Sequence, residues 1–240
     1  MELRPGEISL FLDVDGTLLD LAPHPDAVEV PTDLVGALAA AERRLGGALA
    51  LISGRPIATL DRLFTPLRLR ASGVHGAEIR HRGDDAGRIP RELYMPPQAW
   101  PELVRLLDRF PGAFAEDKRA SFAVHYRMAS CGAEELGAAL ARWVAGFAAC
   151  ELELAAGNLV FEIRRPGFDK GKAIEKFMGK TPFLGRRPVF IADDAMDRAG
   201  FDAVIARGGL AYSVGRELPG LSGYFSEPAA VRAWLGRLGG

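Results

Sequence analysis

The chain has 240 residues, 48% hydrophobic and 25% charged, an ordinary globular composition long enough for one large domain or two smaller ones. Its formal net charge of -1 gives no overall electrostatic case for nucleic acid or an anionic membrane as a partner. Two cysteines in no metal-like or redox spacing, Cys131 and Cys150, suit a reducing compartment, and the interruption of the first apolar run by Asp13 and Asp15 speaks against a signal peptide or membrane span, so a soluble cytoplasmic protein is expected.

From the N-terminus, short apolar runs alternate with helical patterns. Residues Ile8 to Val14 read as a buried strand. Pro31-Thr32-Asp33 opens a helix to about Arg44, with Leu34, Val35, Leu38, Ala41 and Leu45 at helical spacing. Ala48 to Ser53 is a second buried strand. Pro56 then suits an early position in a helix whose apolar face is Leu60, Leu63 and Phe64. Arg70 to Gly76 reads as a third strand and turn. Strand, helix, strand, helix implies a parallel sheet with helices on its faces.

After about Arg80 the character changes. Residues His81 to Pro97 are polar and rich in Pro and Gly. A helix near Trp100 to Phe110 follows, then paired strands in residues 112–118 and 121–127. A helix from Ala133 to about Phe147 comes next, then two strands in residues 150–165 around an Ala-Gly-Asn turn. From Asp169 the alternation returns. A helix is predicted at 170–178, a strand at 187–194, short strands at 202–207 and 211–214, and a closing helix at 227–238. The fold class is therefore α/β. A Rossmann-like doubly wound parallel-sheet core, residues 1–95 and 167–240, is interrupted by an inserted α+β domain, residues 96–166.

In such sheets ligands bind beyond the carboxyl ends of the strands. The strand ends here carry Asp13 with Asp15, Ser53, His75, and Asp193 with Asp194 and Asp197, and Lys170 opens the helix after the insertion. Two carboxylates two residues apart repel each other and are costly to bury. A dication among Asp13, Asp15 and Asp193 would offset that repulsion, and a hard oxygen site suits Mg²⁺. Asp193 is the better direct ligand, with Asp197 acting through water or by bonding to a direct ligand. The hydroxyl of Ser53 and the ammonium of Lys170 suit phosphate oxygens. A carboxylate beside a metal and a phosphate can act as a nucleophile, and a second acid can protonate the leaving oxygen and then activate water.

The segment "DVDGTL" resembles the first motif, Asp-x-Asp-x-Thr, of the haloacid dehalogenase-like phosphatases. That resemblance implies Asp13 as nucleophile, Asp15 as general acid/base, Ser53 of "LISGR" and Lys170 of "FDKGKA" as phosphate-binding residues, and Asp193 and Asp197 of "IADDAMD" as metal residues. Over nearly its whole length the chain resembles the trehalose-6-phosphate phosphatases. The shared elements are "SGR" at 53–55, "GVHGAE" at 73–78, "EDK" at 116–118, "HYR" at 125–127 and "DKG" at 169–171. The resemblance implies a Mg²⁺-dependent phosphatase that hydrolyses trehalose 6-phosphate through an aspartyl-phosphate, with the insertion as a substrate-recognising cap. It departs from the family's Gly-Asp-Asp-x-Thr-Asp-Glu at Ala192, Met196 and Arg198, and Arg198 is expected to place a cation near the metal site.

Alternation in the insertion puts Leu159, Phe161 and Ile163 on one face and Glu162 on the other, with Phe114, Glu116 and Lys118 sharing a side. Glu116, Lys118 and Glu162 thus form either a solvated sheet face or a face that brackets sugar hydroxyls, the latter being the role that the resemblance implies. Several of the remaining residues admit two roles each. Ser53 also suits a helix cap, and Lys172 competes with Lys170. His75 is a turn residue or a substrate contact, and Arg55 is a surface ion-pair partner or a substrate contact. His125 and Arg127 read as structural. The partner is a small sugar phosphate, with no nucleic acid and no membrane, and the oligomeric state is left open, a monomer included. The rival readings are a related phosphatase for another sugar phosphate and a non-catalytic sugar-phosphate binder.

Overall fold

The computed structural model describes residues 4–157, 159–193 and 197–239. The chain separates into two compact units, one of residues 1–88 and 169–240, the other of residues 89–168. The second therefore begins and ends a few residues outside the span 96–166 marked by composition. The Pro/Gly-rich stretch carries the boundary near its middle, where Ile79 still bridges Arg88.

The first unit is built on a seven-stranded sheet. With strands numbered along the whole chain, these are β1 (Ile8–Leu12), β2 (Leu49–Ile52), β3 (Arg70–Gly73), β4 (Glu78–Arg80), β9 (Arg187–Ala192), β10 (Leu210–Val214) and β11 (Gly223–Phe225), the four intervening strands belonging to the other unit. The order is β11-β10-β9-β1-β2-β3-β4, parallel throughout except for β4, which runs antiparallel to β3. Every residue of β1 and β2 is buried, as a sheet covered on both faces requires. Its helices are α1 (Leu34–Arg44), α2 (Ile57–Leu63), α5 (Lys170–Met178), α6 (Arg198–Ala206) and α7 (Pro228–Gly239). Phe177 of α5 and Phe183 pack on Phe11 of β1, with ring centroids 6.1 and 5.3 Å away. Phe201 of α6 meets Phe190 of β9 at 5.3 Å. This is the doubly wound α/β arrangement expected from the sequence.

Three elements differ from expectation. Residues 202–207, read as a strand, lie mostly in α6. Phe201 and Val204 are buried three residues apart while Ile205 is exposed, so the short apolar run follows a helical face rather than an alternating one. The edge strands β4 and β11 have only three residues each and were not anticipated. None of the helices among the described residues is long and apolar enough to cross a membrane.

The second unit is an α+β layer. Helices α3 (Ala99–Leu107) and α4 (Ala133–Ala145) accompany the antiparallel strands β5 (Phe114–Asp117), β6 (Ser121–His125), β7 (Glu153–Gly157) and β8 (Val160–Arg164), in the order β5-β6-β8-β7. Leu103, Leu107, Phe122, Val124, Leu136, Leu140, Phe161 and Ile163 form its buried cluster. Leu159, placed by alternation with Phe161 and Ile163, instead lies just before β8 with φ +59° and is partly exposed. Asn158 of the expected turn lies outside the described residues.

Candidate active site

Four neighbouring parallel strands, β9, β1, β2 and β3, point the same way, so the residues after them meet at one sheet edge. Asp13 follows β1, Ser53 follows β2, Val74 and His75 follow β3, and Asp193 follows β9. Asp197 immediately precedes α6. Asp194 and Met196 lie outside the described residues.

Lys170 is the first residue of α5. Asp169, whose side chain accepts the Lys172 N–H at 2.7 Å, caps that helix. The cap fixes the helix start so that Lys170 turns inward and Lys172 outward. Lys170 Nζ lies 2.8 Å from Asp13 Oδ1 and also pairs with Asp197. The Asp13, Lys170 and Asp197 side chains are 7%, 7% and 0% exposed, whereas Lys172 is exposed. The geometry thus separates the two lysines that the sequence left in competition.

Asp13, Asp193 and Asp197 each place a carboxylate oxygen within 4.8 Å of the others. Burial pushes the Asp13 carboxyl well above the usual range; Lys170 pulls against that, and Asp197 and Asp193 add to it. Burial alone would lower the Lys170 ammonium, but Asp13 and Asp197 outweigh it and hold its pKa above the ordinary lysine value. Three carboxyl groups crowd together here, a divalent cation among them would favour their ionised forms, and the donors are all hard oxygens. Gly16 makes room for this cluster. Its φ is +74°, and a Cβ there would overlap the Asp193 carboxylate. The residues therefore fit a hard dication.

Asp15, expected beside the other three acids, has its carboxylate committed elsewhere. Arg55 Nε donates to Asp15 Oδ2 and Arg55 Nη2 to Asp15 Oδ1, both at 2.7 Å. Ser53 is buried and its Oγ accepts the Arg55 N–H at 3.1 Å, so it closes the loop after β2. It is not the cap of α2, which begins at Ile57 after Pro56. As the acceptor of that bond, the hydroxyl keeps its own proton to donate. His75 is half-buried, with φ +53°, and its ring lies against Gly54. Arg198 is exposed and pairs with Asp202 at 2.8 Å along the surface of α6. The cation expected near the acids is thus engaged on the helix surface.

In the second unit, Glu116, Ala123, Glu162 and Ala155 stand in one lateral row across the four strands. They share the face opposite to Phe122, Phe161 and Ile163, as alternation predicts. Lys118 Nζ donates to Glu162 Oε1 at 2.7 Å, and both side chains are buried. This is not a solvated face at those two positions. The His125 ring stacks on Phe114 with centroids 4.8 Å apart and sits 3.5 Å from Glu116. Burial would raise the Glu116 carboxyl, but His125 and Lys118 hold it below the usual range. Arg127 is exposed. Two partnerships had no sequence signal: Asp15 with Arg55, and the buried Arg80 with Asp61 at 2.7 and 2.8 Å. Both join residues far apart in the chain. The cap residue Asp169 did have one, an acid directly before a helical pattern.

The model of the trehalose-phosphatase family matches residues 11–217. A probable trehalose-phosphate phosphatase of Sinorhizobium fredii is 41% identical over 92% of this chain and 83% of its own length. The trehalose-6-phosphate phosphatase of Escherichia coli is 36% identical over 94% of this chain and 84% of its own. Among solved structures, the C-terminal domain of a Candida albicans trehalose-6-phosphate phosphatase superposes with a TM-score of 0.80 at 19% identity, covering 98% of this chain and 92% of that one. At that identity the likeness bears on the fold alone, a doubly wound α/β core with an inserted α+β domain.

Proposed function

From its membership in the trehalose-phosphatase family, which makes the chain a phosphoric monoester hydrolase, we propose that it hydrolyses trehalose 6-phosphate to trehalose and phosphate, with Mg²⁺ and through an aspartyl-phosphate on Asp13. The observation that carries the mechanism is the buried cluster at the end of β1. Asp13 is held by Lys170 and flanked by Asp193 and Asp197, with Ser53 at the end of the adjacent strand.

In the first step an Asp13 carboxylate oxygen attacks phosphorus in line. The bond from phosphorus to the sugar oxygen breaks, and Asp15 gives that oxygen its proton. In the second step Asp15 takes a proton from water. The hydroxide attacks phosphorus, the bond to Asp13 breaks, and the carboxylate is regenerated. Lys170 and the Ser53 hydroxyl bind the phosphoryl oxygens and offset their developing charge. Mg²⁺ held by Asp13, Asp193 and Asp197 would supply Lewis-acid stabilisation of the same oxygens.

Glu116, Lys118 and Glu162 are the residues we assign to the sugar. Carboxylates accept from hydroxyls and an ammonium donates to them, so these polar groups on one sheet face can read a polyhydroxyl group. A cytoplasmic setting belongs to the same reading and is supported by two free cysteines. The test is phosphate release from trehalose 6-phosphate, with and without Mg²⁺, beside glucose 6-phosphate and sucrose 6-phosphate. Mg²⁺-dependent release from the trehalose ester, abolished in Asp13→Asn, is the expected result. Release from another ester alone overturns the substrate, and full turnover by Asp13→Asn overturns the nucleophile.

A further inference from the structure

The Ser53-Gly54-Arg55 segment is held from both its backbone and its side-chain end. Val74 N–H donates to Arg55 O at 3.1 Å, and His75 N–H donates to Ser53 O at 3.0 Å. The turn that supplies these donors is strained. Val74 and His75 have φ of +48° and +53°, and Val74 is β-branched and buried, a residue that rarely enters the left-handed region. The His75 ring lies so near Gly54 that a Cβ there would overlap the imidazole. From this clamped loop the Arg55 side chain reaches Asp15 with two bonds of 2.7 Å, and Nη2 also donates to Pro25 O at 2.9 Å. The Arg55 side chain is 12% exposed and that of Asp15 32%.

We propose that Arg55 is a positioning residue for the acid-base step, fixing the Asp15 carboxylate in one orientation at the site edge, and that its role is not to bind the sugar. The proposal rests on the reading of Asp15 as the acid/base. Its physical basis is the geometry of the fork. Two parallel N–H···O bonds set both the position and the plane of a carboxylate, which a point-like ammonium cannot do. The third bond, to Pro25 O, anchors the fork to the segment after β1, so the guanidinium is itself fixed. A carboxylate two residues from Asp13 would otherwise be free to turn toward the Lys170 ammonium or a bound cation. The strained turn holds the base of Arg55 in register with strand β2, which makes the reach to Asp15 reproducible.

The test compares wild type, Arg55→Lys, Arg55→Met and Asp15→Asn on two esters. Trehalose 6-phosphate has an alkoxide leaving group that needs a proton; the nitrophenolate of 4-nitrophenyl phosphate leaves without one. On trehalose 6-phosphate both Arg55 variants should lose about 10–100-fold in kcat with KM within about threefold, the scale of a misplaced catalytic group. On 4-nitrophenyl phosphate, rapid mixing should give a nitrophenolate burst at the wild-type rate followed by slowed turnover, because only cleavage of the aspartyl-phosphate then needs Asp15. A tenfold rise in KM for the sugar ester with kcat retained would make Arg55 a substrate contact and overturn the proposal. Equal slowing of burst and turnover, or wild-type behaviour in both variants, would also overturn it. Should Arg55→Met melt below the assay temperature, Arg55→Lys keeps the charge and carries the same test. Asp15→Asn separately tests the underlying reading: wild-type turnover there removes the acid/base assignment, whereas a burst without turnover keeps it whatever Arg55 does.

Discussion

Replacing Lys170 with methionine removes one ammonium while keeping most of the side-chain stem. Its charge is shared by Asp13, at 2.8 Å, and Asp197, in a setting closed to solvent. Deleting one partner of a buried ion pair costs about 3–5 kcal/mol, because the remaining charge is left uncompensated. For a chain of this size each kcal/mol corresponds to about 2–4 °C, so the melting temperature in EDTA should fall by roughly 6–20 °C. Excess Mg²⁺ should restore more of this in the variant than it adds to wild type, since the dication then faces three carboxylates with no competing ammonium. Turnover should still drop about 10²–10³-fold, as for loss of one donor to a developing charge. Circular dichroism melts with EDTA and with Mg²⁺ read the first two effects. Lys172→Met is the control, because that exposed ammonium pairs loosely with Asp169, at 3.9 Å. A variant that melts within about 2 °C of wild type in EDTA, or gains less than wild type from Mg²⁺, would refute the account of the cluster.

Gly16→Ala should weaken Mg²⁺ binding by about tenfold or more, read by calorimetric titration, because a methyl at φ +74° both strains the backbone and displaces the Asp193 carboxylate. Asp61→Ala should destabilise the protein by about 3 kcal/mol in urea unfolding, since it leaves the buried Arg80 guanidinium bonded to the Leu69 carbonyl but without its carboxylate. The Arg80 fork outweighs partial burial and holds the Asp61 carboxyl below its unfolded value, so its contribution is full at neutral pH and is lost as pH falls below about 4. The loss of stability on acidification between pH 5 and 3 should therefore be smaller in Asp61→Ala than in wild type. Lys118→Met should raise KM for trehalose 6-phosphate and leave kcat/KM for 4-nitrophenyl phosphate unchanged; a parallel fall on both esters would remove the sugar assignment.

Much of the core was legible because burial and charge conflict openly there. An apolar run that ends in Asp13 leaves a carboxylate at a strand terminus, and a second such run, ending at Ala192, does the same for Asp193. Parallel pairing of β1 with β9 and β2 then brings those ends together without further information. What stayed hidden depends on side chains meeting across long sequence separations. Arg55 and Asp15 are 40 residues apart, and nothing in "SGR" says where the guanidinium turns. The short run at 202–207 misled because four apolar residues fit a strand or a helix equally; the Phe190–Phe201 packing decides for the helix. Glu162 and Lys118 were placed correctly on one face by alternation, but their burial and direct bond follow from register, which a single sequence leaves unspecified.

The pairing pattern also bears on how one short segment can hold two carboxylates with opposite tasks. Under the proposed mechanism, Asp13 must stay anionic and aimed at phosphorus, while Asp15 must exchange a proton with an oxygen on the leaving side. If both shared one electrostatic environment, each would perturb the other and neither role would be fixed. The fold divides them. Asp13 belongs to a cluster with Lys170, Asp193 and Asp197, whose carboxylate oxygens suit a dication. Asp15 belongs to a separate pair in which the Arg55 fork holds both of its oxygens. The intervening Val14 is fully buried, and its carbonyl accepts from Leu18 and Leu19, so the backbone between the two acids cannot rotate to merge them. The two acids are thereby assigned to different partners, Asp13 to Lys170 and Asp15 to the Arg55 fork.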